Sequence, residues 1–246
     1  MNPSSTGTTG APADLIDDLV SANRILYAQK VVDGFGHVSA RDPARPDRFY
    51  LSRSKAPGTV TAQDVLAFDL TGEPIEPSSH KLYLERYIHS ALYAERSDVM
   101  AVVHSHSPAV IPFGITPIRL QPVFHIGGFL APIVPVFEIR DAAGPASDLL
   151  IRNQELGVAL ARSLGQRAVV LMRGHGSTAV GTSIPQAVFR AIYTEVNARL
   201  QADAMRMGPI NFLTAQEATA AAATNDKVID RIWCLWKAEL DERGTL

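Results

Sequence analysis

The sequence predicts a single α/β domain in which helices cover a central β-sheet. Short segments rich in β-branched residues alternate with longer segments whose apolar residues recur at helical spacing. The 246 residues contain no linker-like segment in the middle that would divide the chain into two domains. Hydrophobic residues make up 46% of the chain, which is enough to fill a sizeable core.

The first half begins with apolar residues at helical spacing, among them Leu15, Leu19 and Leu26. Thr61, with Asp64 three residues later, resembles a capping pair for a brief helical turn. The elements predicted for this half are a helix at 14–30, strands at 35–40, 49–52 and 65–70, a helix at 79–95 capped by Ser79, and a buried strand at 99–104.

Proline and glycine mark the element ends of the second half. Pro108 can open a helix, Gly165 stops one, and the prolines near 133–137 place that strand towards a sheet edge. The elements predicted here are that edge strand, a helix at 147–164, strands at 168–172 and 177–181, and helices at 184–207, 215–223 and 227–240.

Composition and charge exclude several classes of partner. A net charge of -2 does not indicate the excess of positive charge that binds nucleic acid or an anionic membrane. No apolar run approaches the roughly 18 residues that span a bilayer. The polar segment 1–13 is predicted to be a disordered tail and not a signal peptide, with the domain at 14–246. We expect a cytoplasmic protein, in which the single cysteine, Cys234, is a small buried hydrophobe on a helix and not a reactive thiol.

Three histidines lie where predicted buried strands end. His104 and His106 are two residues apart, so their side chains leave one strand on the same side. His175 lies between two glycines directly after a second strand, where the backbone can turn sharply. Three nitrogen ligands with open positions are the arrangement of a catalytic divalent metal. The alternative is that these histidines are hydrogen-bonded core groups or turn residues.

Other polar residues are candidates for contacts with a substrate. His37 follows two glycines and is a candidate ligand contact or a turn residue. Ser78, Ser79 and His80 lie at a predicted helix N-terminus that could hold an anion, although Ser79 could also be an ordinary cap. Ser52 and Arg53, followed by Ser54 and Lys55, form either an anion clamp or a surface turn. His89 is expected on a solvated helix face, and His125 is ambiguous.

The motifs AVVHSHSP at 101–108, RGHG at 173–176 and EPSS at 76–79 together resemble the class II aldolase/adducin family. The likeness runs from about residue 14 to residue 207. It implies a three-layer fold with a mostly antiparallel sheet flanked by helices, and a homotetramer with active sites between subunits. It also implies that His104, His106 and His175 bind the metal.

Three positions depart from the aldolases of that family. The aldolases follow the two serines with a metal-binding, proton-transferring glutamate, and His80 stands in that place here. His37 replaces the asparagine of a G-N-x-S pattern, and His125 lies near where the aldolases bring in a catalytic tyrosine from a neighbouring subunit. At these positions the chain is more similar to the decarboxylase branch of the family, which acts on hydroxylated aromatic dicarboxylates. Loss of the carboxylate would also remove a like-charge repulsion of about 4 kcal/mol against a dianionic substrate.

The resemblance therefore implies a lyase that decarboxylates a hydroxylated aromatic or heteroaromatic carboxylate through a metal-stabilised, enolate-type carbanion. It would use one divalent metal per subunit: manganese, zinc, cobalt or iron. His80 and His125 are the expected catalytic residues, while His37, Ser52, Arg53, Ser78 and Ser79 are expected to bind substrate. The alternatives are an aldolase or epimerase of a sugar phosphate, and a non-enzymatic module like the adducin head domains. Retention of all three metal-type histidines argues against the last.

Overall fold

The computed structural model describes residues 12–242. Most of the predicted tail at 1–13 lies outside the described residues, and Ala13 already belongs to the first helix. No helix within 12–242 is both long and apolar enough to cross a bilayer.

Seven strands of the described chain form one sheet, in the order β3-β2-β1-β4-β7-β6-β5. All neighbouring pairs in this sheet are antiparallel except β5 with β6, so the predicted mostly antiparallel sheet is confirmed. The strands are β1 (His37–Arg41), β2 (Arg48–Ser52), β3 (Val65–Asp69), β4 (Ala101–Ser105), β5 (Val136–Phe137), β6 (Val169–Met172) and β7 (Gly176–Gly181). Strand β5, which directly follows Pro135, lies at an edge, as predicted.

Helices cover both faces of this sheet, which confirms the three-layer α/β fold. Along β4, Val103 packs with residues of α1, α6 and α8, whereas the adjacent Val102 packs with residues of α2 and α5. Successive strand residues point to opposite faces, so the two cores are separated by the sheet. The helices are α1 (Ala13–Ala28), α2 (Arg86–Glu95), α3 (Ile111–Ile115), α4 (Arg140–Ala143), α5 (Gln154–Leu164), α6 (Ile184–Met207), α7 (Ala215–Asp226) and α8 (Ile229–Glu242).

Helix α2 begins at Arg86, so the prediction of a helix capped by Ser79 is wrong. The segment before it is irregular and is hydrogen-bonded to the residues that follow β2. Ser54 N donates to Lys81 O at 2.8 Å, and the Tyr83 hydroxyl donates to Lys55 O. Ser78, Ser79 and His80 therefore do not lie at a helix N-terminus, and the anion-binding argument based on one does not apply to them.

Helix α5 also begins later than predicted, at Gln154. Asn153 is its cap, since the Asn153 side chain accepts from Leu156 N at 2.9 Å. Residues 147–152 are irregular, and Leu149 has φ 71°, which is incompatible with a right-handed helix. The Thr61–Asp64 capping box, by contrast, is confirmed.

Two predictions of burial are wrong. His89 is 0% exposed because α2 is enclosed between the sheet and α5. Cys234 is exposed, because Trp233 and Trp236 face the core and the intervening part of α8 turns to solvent.

Candidate metal centre

The end of β4 and the turn between β6 and β7 bring the three predicted histidines together. His104 is the fourth residue of β4 and pairs with Thr178 of β7. Gly176 permits the close approach of the two strands, since a Cβ at this position would lie 2.0 Å from Ser105 O. The turn that carries His175 therefore packs directly against the segment that carries His106.

The imidazole nitrogens of these histidines converge on one point. His106 Nε2 lies 3.2 Å from His104 Nε2 and 2.9 Å from His175 Nε2. A fourth group, the Glu85 carboxylate, completes the cluster, with Oε2 at 3.5 Å from His104 Nε2 and 3.4 Å from His175 Nε2. All four ligand atoms lie within 4.8 Å of one another.

These distances fit the shell of a divalent metal. A tetrahedral ion with bonds of about 2.0–2.1 Å places its ligand atoms roughly 3.3 Å apart. Four of the six separations in the cluster run from 2.9 to 3.5 Å. A neutral imidazole has one N–H, so three imidazole nitrogens facing one another cannot satisfy each other by hydrogen bonds alone. Histidine nitrogens and one carboxylate oxygen are the donor set that such an ion prefers.

Hydrogen bonds from the loop before α5 orient two members of the cluster. His175 Nδ1 lies 2.9 Å from Leu149 O and donates to it, which leaves the lone pair of Nε2 free to bind a metal. Glu85 accepts from Ile151 N at 3.0 Å through its other oxygen. The irregular loop at 149–151 is thus a support for the metal centre.

Electrostatics keep Glu85 and His106 in the forms that bind a metal. Burial by itself would raise the pKa of the Glu85 carboxyl, but the charges and hydrogen bonds of His104 and His175 outweigh it and hold that pKa below its ordinary value. Burial, reinforced by His104, lowers the pKa of His106 to about 4, so its imidazole is neutral near pH 7. A carboxylate and a neutral imidazole are the forms that bind metals.

Glu85 corrects the expectation that this chain lacks the aldolase carboxylate. The carboxylate was expected directly after the two serines, at the position that His80 occupies. Because 79–85 is irregular and not helical, the carboxylate lies just before α2, five residues after His80. Counting back from the start of the amphipathic helix would have found it. The argument that a missing charge favours a dianionic substrate therefore fails.

A cavity of about 460 Å³ opens beside the cluster. Its wall includes His106 and Glu85, so a molecule bound there would reach the metal centre. The other residues that line it include Phe35, His37, Lys55, Lys81 and Tyr83. His37 lies opposite His104 in the β1–β4 pair, and the two ring centroids are 5.0 Å apart.

A buried chain of hydrogen bonds runs from His37 away from the cavity. His37 Nδ1 lies 2.6 Å from His89 Nε2, and His89 Nδ1 lies 2.6 Å from Ser39 Oγ. Ser39 Oγ is also 2.7 Å from the Tyr93 hydroxyl. Apart from His37, the members of this chain were not anticipated from the sequence. Ser39, two residues from His37 on the same strand, was the available signal.

The other predicted site residues lie apart from the four-residue cluster. Arg53 Nε donates to Asp64 at 2.7 Å, and Lys55 Nζ also pairs with Asp64. Arg53 is therefore engaged by a carboxylate, and Ser52 is buried at 1% exposure.

Residues 78–80 directly precede Lys81 on the cavity wall, and His80 is exposed. His125 is also exposed, and its carbonyl accepts from Asn225. Roles for these residues in the site stay predictions.

Comparisons with known proteins identify the family of this chain. The model of the Class II Aldolase and Adducin N-terminal domain matches residues 17–202. The chain is 39% identical to Decarboxylase tropJ of Talaromyces stipitatus, covering 95% of this chain and 97% of that protein. It is 30% identical to a 3,4-dihydroxyphthalate decarboxylase of Arthrobacter keyseri, covering 79% and 81% of the two. A solved aldolase II superfamily protein from Pseudomonas syringae superposes with a TM-score of 0.77 at 21% identity, covers 94% of each chain, and is similar in fold.

Proposed function

Since the chain belongs to the class II aldolase and adducin family and is a lyase, we propose that it is a metal-dependent decarboxylase of a hydroxylated aromatic or heteroaromatic carboxylate. The observation that supports its metal dependence is the convergence of three histidines and one glutamate beside an open cavity. The decarboxylase relatives support the reaction type, and the 3,4-dihydroxyphthalate decarboxylase supports the substrate class.

His104, His106 and His175 would hold one divalent metal, with Glu85 as a fourth ligand before substrate binds. A metal held there supplies Lewis-acid chemistry, since it polarises a substrate oxygen and stabilises the negative charge that develops as CO2 leaves. Manganese, zinc, cobalt and iron all suit such a ligand set.

Glu85 is the proposed proton carrier of the reaction. Glu85 lines the cavity as a carboxylate, so it is placed to accept the proton of a substrate hydroxyl group, whose pKa a metal held there would lower. The bond between the ring carbon and the carboxylate then breaks, CO2 leaves, and the electron pair remains on the ring. The protonated Glu85 can return the same proton to that carbon, and the product phenolate takes up one proton from solvent, so the reaction consumes one proton overall. His80, next to the cavity-lining Lys81, stays an alternative proton donor.

The cavity wall offers complementary contacts to such a substrate. Lys55 and Lys81 supply positive charge for a second carboxylate, although Lys55 is shared with Asp64. Phe35 is 67% exposed, and its ring lies 6.1 Å from that of His106 at an angle of 26°. An exposed aromatic ring beside the metal centre can pack against a planar substrate.

Retention of Glu85 means that the residue pattern by itself no longer separates a decarboxylase from a sugar-phosphate aldolase. The test is to supply metal-reconstituted protein with 3,4-dihydroxyphthalate and related hydroxylated aromatic dicarboxylates, and to measure CO2 release. L-fuculose 1-phosphate cleavage is measured in parallel. CO2 release that disappears in His106→Ala is the expected result. Sugar-phosphate cleavage without CO2 release from any aromatic acid would replace this proposal with the aldolase.

A further inference from the structure

The buried chain Tyr93–Ser39–His89–His37 has hydrogen-bond donors and acceptors that can be ordered in one direction. Tyr93, Ser39 and His89 are at most 1% exposed, so each of their polar hydrogens must find a partner within the protein, whereas His37 lines the cavity. Among the described residues, the acceptor offered to the Tyr93 phenol is Ser39 Oγ, at 2.7 Å. The phenol therefore donates to Ser39.

This first bond fixes the others in turn. Ser39 Oγ accepts from Tyr93, so its own hydrogen is directed to His89 Nδ1 at 2.6 Å. His89 is neutral near pH 7, because burial lowers its pKa to about 3. A neutral imidazole that accepts at Nδ1 carries its proton on Nε2. His89 Nε2 therefore donates to His37 Nδ1, across 2.6 Å.

The reverse direction leaves a buried group unsatisfied. In that case His37 Nδ1 would donate to His89, His89 to Ser39, and Ser39 to the phenol oxygen. The Tyr93 hydrogen would then be buried at 1% exposure without an acceptor among the described residues, which is unfavourable. The terminal tyrosine thus determines the state of a histidine three hydrogen bonds away.

We propose that Tyr93, Ser39 and His89 are positioning residues that hold His37 in the tautomer with its proton on Nε2. His37 lines the cavity, and Nδ1 is already occupied by His89, so the Nε2–H is the group left to face a bound molecule. The cavity wall consequently carries a permanent hydrogen-bond donor beside the metal centre.

This donor selects for a particular chemistry in the substrate. An N–H that cannot become an acceptor binds an ionised oxygen, such as a carboxylate or a phenolate, and disfavours a hydroxyl that needs to donate. The choice of an aromatic carboxylate as the ligand rests on the proposed function. The tautomer itself does not.

The tautomer can be measured directly on zinc-loaded protein labelled with ¹⁵N-histidine. Long-range ¹H–¹⁵N correlation spectra distinguish a protonated from an unprotonated ring nitrogen, and the signals of His37 are those that vanish in His37→Gln. We expect the proton on Nε2 of His37 and a hydrogen-bonded, unprotonated Nδ1. A proton on Nδ1 in the wild-type protein would overturn the proposal, and this reading needs no variant at position 89.

Two substitutions of His89 test its positioning role. His89→Met removes the donor at similar volume, whereas His89→Gln retains an N–H donor. In His89→Met the Nδ1 resonance of His37 should move towards the unbonded value, and His89→Gln should restore it in part. Affinity for phthalate, an unreactive aromatic dicarboxylate, should fall about tenfold in His89→Met at unchanged zinc content, and by less than about threefold in His89→Gln.

The outcomes separate this inference from the proposed function. An unchanged Nδ1 resonance in His89→Met would show that His89 does not hold His37. Equal phthalate affinity in wild type and His89→Met would show that the donor does not reach the ligand. If the wild-type protein binds no phthalate at all, the substrate class is wrong, and the NMR result still decides whether the hydrogen-bond direction is right.

Discussion

Glu85 belongs both to the group of metal ligands and to the wall of the cavity. Glu85→Gln keeps the size of the side chain and an oxygen that can accept from Ile151 N. It removes the negative charge and the ability to carry a proton. We expect kcat for decarboxylation to fall by roughly 10²–10⁴, the usual contribution of a positioned acid or base. Three histidines remain, so metal content should stay near one ion per subunit.

His80→Asn is the matched comparison for Glu85→Gln. His80 is exposed, so the substitution should leave folding and metal content unchanged. A modest rise in KM with little change in kcat would fit a rim residue that contacts substrate. A loss of kcat in His80→Asn together with full activity in Glu85→Gln would transfer the proton-carrying role to His80.

His89 makes the stability of the fold depend on pH. Burial, with a smaller contribution from the charge of His104, lowers its pKa from 6.5 to about 3 in the folded protein. Between these two values the unfolded chain binds a proton that the folded chain does not, so stability falls as pH falls. From pH 7 to pH 5, wild type should lose about 2 kcal/mol more unfolding free energy than His89→Gln. Urea unfolding at both pH values measures this difference, and equal losses in the two proteins would contradict a neutral buried His89.

The sequence could predict the three metal-type histidines because each lies where a strand ends, and strand ends follow from local patterns. It could not identify Glu85, whose place depends on how the connection at 79–85 runs against β2. The burial of His89 was missed for a similar reason. The sequence around His89 does not show that both the sheet and α5 cover the helix α2.

At the scale of elements, the turn between β6 and β7 determines whether the metal centre forms. Gly176→Ala would place a methyl group 2.0 Å from Ser105 O, a backbone atom that cannot move without shifting β4. We expect the turn to be displaced, with metal affinity reduced by about 10–100-fold, as for other residues that orient ligands. Melting temperature should also fall, by the few degrees that overpacking of about 1–3 kcal/mol produces.

Gly34→Ala is the matched control for this substitution. It also lies beside the site, but a Cβ there has nothing within 4 Å. Its metal affinity and melting temperature should equal those of wild type. Equal behaviour of the two alanine variants would mean that the close approach at Gly176 does not organise the site.

Predicted elements agree with the structure where the pattern is strong and local. Six of the seven strands were predicted to within two residues at each end, the start of β5 was predicted three residues too early, and α6 was predicted with the observed bounds. The predicted starts of α2 at Ser79 and of α5 at Ser147 were too early, because an irregular segment precedes each helix. Those segments, 79–85 and 147–152, supply Glu85 and the backbone groups that orient it and His175, which a search for regular structure does not reveal.

At the scale of the whole molecule, we expect a homotetramer with sites between subunits. Large apolar side chains are exposed near the end of α6, among them Met207 at 89% and Leu200 at 42%. Such exposure is typical of a surface that another protein chain covers. Light scattering should give a mass about four times the 26.6 kDa of one chain. A mass of one chain with full activity at the same dilution would contradict sites shared between subunits.

The measurement that tests the metal-dependent decarboxylase most directly is a titration of chelator-treated protein with a divalent metal, followed by CO2 release from the hydroxylated aromatic acid that the screen identifies. We expect no CO2 release without metal, a rate of CO2 release that rises linearly with added metal, and a plateau in that rate at one ion per subunit. The same titration of His106→Ala should give no rise, since this variant removes a nitrogen that lies within 3.2 Å of both other histidines. CO2 release at the full rate from metal-free protein would contradict the proposed role of the four-residue cluster.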